Sequence, residues 1–226
     1  MSKSGELILQ HLGAVRVERA ARSADAPLAL RVTHVKRYQQ ARFALDYADL
    51  LSDPRYAGAA KFFLDDLYGP GDFSQRDAQF ARIVPALVRL FPGDVVLTVE
   101  VLTALHALSE QLDSTMARHV DTLPLTAPAY AAAWRHTGQR ASRERQIDLM
   151  LDVGRALDVY TRRPLLRHSL RAMRIPARAA GLSALQAFLE KGFETFRAMR
   201  GAQEFLAQIA LRERAMAASL FGGPRP

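Results

Sequence analysis

His106, Glu110 and Asp113 are separated by four and three residues, so an imidazole and two carboxylates share roughly one face of a helix. That set suits a general base or a haem or metal ligand, or a histidine satisfied beside a core, because Leu105, Leu108 and Leu112 flank it. A second group lies in residues 61 to 77, Lys-Phe-Phe-Leu-Asp-Asp-Leu-Tyr-Gly-Pro-Gly-Asp-Phe-Ser-Gln-Arg-Asp, where Asp65, Asp66, Tyr68 and Arg76 are candidates to line a ligand cleft. Adjacent carboxylates shift each other's protonation when desolvated. Neighbouring helical residues nevertheless diverge by about 100°, so Asp65 and Asp66 do not easily aim at one atom. The third group is an arginine stripe. Arg163, Arg167, Arg171 and Arg174 follow at four, four and three residues, with Leu166, Leu170 and Met173 on a separate stripe. Four guanidiniums on one face repel each other unless an anion or neighbouring acids offset them, and Asp148, Asp152 and Asp158 are the acids within reach along the sequence.

Much chemistry is excluded. The chain has no cysteine, which removes thiolate nucleophiles, disulfides and cysteine-ligated zinc or iron–sulfur sites. No glutamate has a histidine three positions on, as a di-iron bundle requires, and none of the six histidines stands in a His-x-x-x-His or His-Glu-x-x-His spacing. Phosphate loops, dinucleotide fingerprints and the Gly-x-Ser-x-Gly elbow are missing too. No helix-turn-helix or aromatic-basic sheet motif for nucleic acid is evident. We therefore expect no metal, and no cofactor unless His106 ligates haem.

The elements that must position these groups read as helices almost throughout. Val35, Tyr38, Phe43, Tyr47, Leu50 and Leu51 recur at helical spacing, and further helices are expected near 54–68, 74–91, 93–120, 127–137, 141–162, 164–174, 177–199 and 202–219. Pro85 should kink or break the helix that contains it, and Ser74 with Asp77 forms a capping-box variant at its start. Phe62, Phe63, Leu67 and Phe73 can anchor a corner between two helices, with Arg76 reaching back to Asp65 or Asp66. Strand signals are scarce. The expected fold is all-α, a single multi-helix orthogonal or bundle domain of about eight to ten helices over residues 1–220, with a candidate sub-boundary at 121–128 and a loose tail at 221–226.

Composition fits that picture. The 226 residues are 49% hydrophobic and 24% charged, which is ordinary for a globular chain. Residues 1–113 carry 13 Lys and Arg against 14 Asp and Glu, a net of −1, and residues 114–226 carry 18 against 9, so the whole net charge of +8 lies in the second half. Only four of the 31 basic residues are lysine. That bias follows from a GC-rich genome or from recognition of anions by planar guanidiniums. The short apolar group Leu7-Ile8-Leu9 is too brief for a signal-peptide core, and no uninterrupted apolar run approaches the length of a membrane span, so a cytoplasmic location is expected.

The run Phe62-Phe63-Leu64-Asp65-Asp66-Leu67-Tyr68-Gly69-Pro70, followed by Asp72-Phe73 and Arg76-Asp77, resembles the signature of a family of short uncharacterised proteobacterial proteins. His106 to Asp113 and Arg163-Pro164-Leu165-Leu166-Arg167 are looser pieces of the same likeness. The resemblance implies a single helical unit and carries no assigned activity.

Two functions follow as expectations. The first is a non-catalytic binding or interaction protein, a homodimer being compatible with it, whose arginine face at Arg163, Arg167, Arg171 and Arg174 meets a protein partner or a small acidic ligand. The alternative is a helical enzyme or haem-type small-ligand binder with a pocket near His106 and Glu110, and Asp66 and Tyr68.

Overall fold

The computed structural model describes residues 2–67, 71 and 73–222, and Tyr68, Asp72, the Leu67 side chain and residues 223–226 lie outside the described set. Among the described residues there is no strand. The helices are α1 (Lys3–Ser23), α2 (Ala26–Asp46), α3 (Ala48–Ser52), α4 (Ala57–Phe62), α5 (Ser74–Leu90), α6 (Gly93–Ala117), α7 (Ala127–Thr137), α8 (Arg140–Thr161), α9 (Pro164–Ala172), α10 (Arg174–Ala179), α11 (Ser183–Ala198) and α12 (Gln203–Gly222). A π-helical turn, Phe63–Leu67, continues α4. Three of the twelve, α3, α4 and α10, are turns of five or six residues, and the longer ones match the all-α expectation.

Local chemistry sets most boundaries. Ser2 caps α1 by accepting from the Gly5 amide at 3.3 Å, and Asp25 caps α2 by accepting from Leu28 at 3.0 Å, with Pro27 in the first turn. Thr126 and Gly138, the latter at φ 59°, bracket α7. Two expectations change. α5 runs through Pro85 as one helix, and its Ser74–Asp77 start makes no capping box, because the Asp77 carboxylate is engaged elsewhere. The helix expected at 177–199 is divided at Gly181, φ 70°, into α10 and α11. Phe221 and Gly222 belong to α12 rather than to a tail.

α6 is the central rod. α1 lies along it, α2, α7 and α8 pack around it, and α11 and α12 lie against α8. By length and composition α6 is apolar enough to cross a membrane, yet it carries Glu110, Asp113 and Ser114 buried among its neighbours. The larger apolar cluster joins Val35, Tyr47, Leu105, Trp134, Leu151 and Phe205, so side chains from both sides of the 121–128 connector share it. Close approach of helices is visible at Gly154, where an added Cβ would stand 2.5 Å from Leu206, and at Gly192, where it would stand 2.9 Å from the Phe62 ring. Phe62 and Phe63 are both buried, the first stacked on Phe188 at 5.4 Å and the second against Phe196 and Phe205.

Candidate functional site

α6 brings His106, Glu110 and Asp113 onto one face, as their spacing predicts, but most of their partners come from α1, α2 and α5. Glu110 is 3% exposed and meets three cations: Arg22 Nη1 at 2.5 Å, Lys36 Nζ at 2.9 Å and Arg19 Nη2 at 3.1 Å. Burial pushes its carboxyl upward, and Lys36, Arg22 and Arg19 more than offset this, leaving it well below the usual carboxylate range. Asp77 Oδ2 accepts from Arg19 Nη1 and lies 2.8 Å from His106 Nε2, so Nε2 carries the proton. Burial raises the Asp77 carboxyl, and the His106 hydrogen bond and the nearby arginines lower it further than that. Asp113, held by Gln39, is pushed upward by burial.

Arg76 lies beside this cluster with its guanidinium over the Phe73 and Phe188 rings, each at 4.3 Å, and it donates to the Asp66 carbonyl at 2.8 Å. The Asp66 carboxylate turns away and pairs with Lys191. Asp66 therefore contributes its backbone rather than an acid group to the neighbourhood of His106. A small cavity of about 40 Å³ touches Arg76, Asp77, His106 and Ser109.

Phe80, Leu102 and Phe188 separate that cavity from a far larger one, since all three line both. The larger cavity measures about 330 Å³ and lies between α5, α6, α8, α9, α10 and α11. Of its 27 lining residues only Thr98, Tyr160, Ser169 and Gln186 have polar side chains. Thr98 and Tyr160 hydrogen-bond each other at 2.7 Å, and the Gln186 amide donates to Leu170 O and Glu190.

α9 and α10 cover this space. α9 has no fully buried residue, and its Leu166, Ser169, Leu170 and the following Met173 face the cavity at helical spacing. Leu165 at 80% and Ile175 at 82% exposure show how thin this layer is. The arginine stripe runs along its outer side, with Arg174 already in α10. Each of the four already has a carboxylate: Arg163 pairs with Asp94 at 2.8 Å, Arg167 and Arg171 with Glu194 at 3.1 and 3.3 Å, and Arg174 with Glu190 at 2.7 Å. The acids are thus on α6 and α11. Asp148, Asp152 and Asp158 are engaged by Arg214, Arg155 and Arg162 instead.

Sequence reasoning missed Arg19, Arg22 and Lys36 as partners of Glu110, and read Asp77 as a cap. It also missed the cavity, for which the apolar face of α9 is the one local signal. Tyr68 lies outside the described residues. Among the described residues no group of three or more His, Asp or Glu is arranged to hold a metal ion. A family model described as a domain of unknown function matches residues 18–226. No curated protein and no solved structure matches the chain.

Proposed function

The chain belongs to this family, DUF8198, and we propose that it is a binding protein for a small, largely apolar molecule held in the cavity beneath α9 and α10. The supporting observation is the size of that cavity together with its lining. Left unfilled, so much apolar space deprives its lining of packing contacts. An apolar cavity of about 150 Å³ takes up benzene, so this one suits an aliphatic chain or ring system of about a dozen carbon atoms. Thr98 and Tyr160 satisfy each other and the Gln186 amide is held by Leu170 O and Glu190, so the ligand it fits has at most one polar end.

In this reading the arginines work as a latch. Their ion pairs tie α9 and α10 to α6 and α11 across the cavity's rim, where solvent screening makes each worth about 0–1 kcal/mol. Such a cover opens readily. The earlier expectation of a binding protein is kept, with the acidic ligand replaced by an apolar one and the guanidiniums given an internal role.

The test is titration with the uncharged fluorophore N-phenyl-1-naphthylamine, followed by displacement with decanol. Saturable enhancement that decanol reverses, and that Leu170→Trp abolishes by filling the cavity, is the expected result. No saturable enhancement, or enhancement unchanged in Leu170→Trp, rejects the proposal.

A further inference from the structure

Arg143 on α8 is 3% exposed, and among the described residues no carboxylate stands within ion-pair distance of it. Its Nη1 donates to Gln146 Oε1 at 3.1 Å, its Nη2 lies 3.8 Å from the Met116 sulfur, and its Nε has no acceptor. The guanidinium stacks over Trp134 at 4.0 Å. A guanidinium taken out of water without a counter-charge is strongly disfavoured, and a ring face offsets only part of this. Asp113, the carboxyl whose field reaches Arg143 across the core, is engaged by Gln39 and Lys36.

Two neighbours share the condition. Trp134 Nε1 and Arg42 Nε are likewise buried without an acceptor. All three residues line one cavity of about 80 Å³, with Gln39, Gln40, Tyr130, Gln146 and Glu213 completing its polar wall. The unmatched atoms on this wall are all N–H donors, so what is missing is an acceptor. This cavity has no lining residue in common with the apolar one.

The geometry points to a binding site for a small monocarboxylate of acetate size, its oxygens accepting from Arg143 between the Trp134 ring and Arg42. Size follows from the volume: about half that of a cavity that takes up benzene leaves room for about three or four heavy atoms. Charge follows from Glu213, which lines the same cavity and is held there by Arg42 and by the Tyr47 hydroxyl at 2.8 Å. A second negative charge on the ligand would face that carboxylate. One guanidinium without a counter-charge calls for one negative charge, and a planar carboxylate matches its fork. Phosphate is disfavoured on both counts.

Trp134 is the chain's single tryptophan, so its emission reads this site directly. The full chain is titrated with sodium acetate at pH 7, ionic strength being held with sodium sulfate, and with sodium phosphate in parallel. Acetate is expected to change the emission saturably and phosphate to act at least about tenfold more weakly, while Arg143→Lys weakens acetate by about tenfold through loss of the fork. Arg143→Met, with folding verified by circular dichroism, is expected to give no saturable response. A second reading needs no variant: the protein broadens the ¹³C resonance of labelled acetate, and excess formate relieves the broadening. Absence of a saturable acetate response, an undiminished response in Arg143→Met, no ¹³C broadening, or a crystal grown in acetate with only ordered water beside Arg143 would each overturn the assignment.

Discussion

Glu110→Gln tests the buried ionic cluster most sharply, because the substitution keeps the shape and removes only the charge. Arg22 is buried, Lys36 and Arg19 are largely so, and all three meet at Glu110. Removing one member of a buried ion pair costs about 3–5 kcal/mol, and the amide oxygen still accepts from one donor, so about 3 kcal/mol is the working figure. For a chain of this length that lowers the melting temperature by about 6–12 °C. The pH dependence supplies a second signature. Glu110 has a folded pKa depressed below its unfolded value of about 4.3, so its contribution is complete above that pH and is lost as pH falls through the depressed value. In that window this group alone gives stability a slope of about 1.4 kcal/mol per pH unit. Asp113 works in the opposite sense, since burial raises its carboxyl and its contribution is lost as pH rises above about 3.9. Urea melts of parent and variant from pH 7 to pH 3 should therefore differ by about 3 kcal/mol at neutral pH, with the difference beginning to shrink below about pH 4.3 and reduced by roughly half at pH 3. A difference under about 1 kcal/mol at pH 7, or one that does not shrink on acidification, refutes the view that three cations depend on this carboxylate.

Other outcomes are equally specific. Arg167→Glu with Arg171→Glu leaves stability within about 2 kcal/mol but speeds release of N-phenyl-1-naphthylamine, and release from the parent quickens with salt, as stopped-flow fluorescence would measure. Gly154→Ala places a Cβ against Leu206 and costs about 1–3 kcal/mol by overpacking, read from thermal melts, although alanine is the better helix former. Tyr47→Phe removes the hydroxyl that holds Glu213 and costs about 1 kcal/mol in urea denaturation, while the tilted contact with Phe43 keeps the ring in place. Asp77→Asn removes the carboxylate that Arg19 and His106 share, and a loss of about 1–3 kcal/mol in urea denaturation is the expected mark of it.

Helical periodicity carried most of the fold, because each long helix buries one apolar stripe and that stripe is local in sequence. α7, expected near 127–137, spans Ala127–Thr137, and the left-handed Gly138 that ends it needs no tertiary context. The division at Gly181 was less visible, since Ala177 to Leu189 keep a helical pattern on both sides of it. The site was half legible. His106, Glu110 and Asp113 show themselves by spacing, whereas Arg19 and Asp77 are 58 residues apart and Arg19 and Glu110 are 91 apart, pairings that only helix packing creates. Asp77 misleads for a physical reason: a carboxylate three residues after a serine has the same local signature whether it caps the helix or points across it. The apolar cavity could not be read at all. An apolar stripe on α9 predicts burial, but sequence does not say how well the facing residues fill the space beneath it.

The excess of arginine over lysine takes on a structural meaning once the contacts are known. Guanidiniums sit over aromatic rings at Arg55–Tyr56, Arg76–Phe73, Arg143–Trp134, Arg163–Tyr160 and Arg212–Tyr47, between 4.0 and 5.3 Å from the ring centres. Arg174 grips Glu190 through two nitrogens, and Arg212, besides its ring contact, grips Asp49 in the same way. A lysine ammonium is a strongly hydrated point charge and supplies neither the stacking plane nor the fork. Lys36, by contrast, meets Glu110 end-on at 2.9 Å, where a point charge suffices. Genome composition can raise arginine everywhere, but it does not place guanidiniums on ring faces. Arg143 is the position where this usage is incomplete, with a stacked plane, a buried fork and no carboxylate in reach.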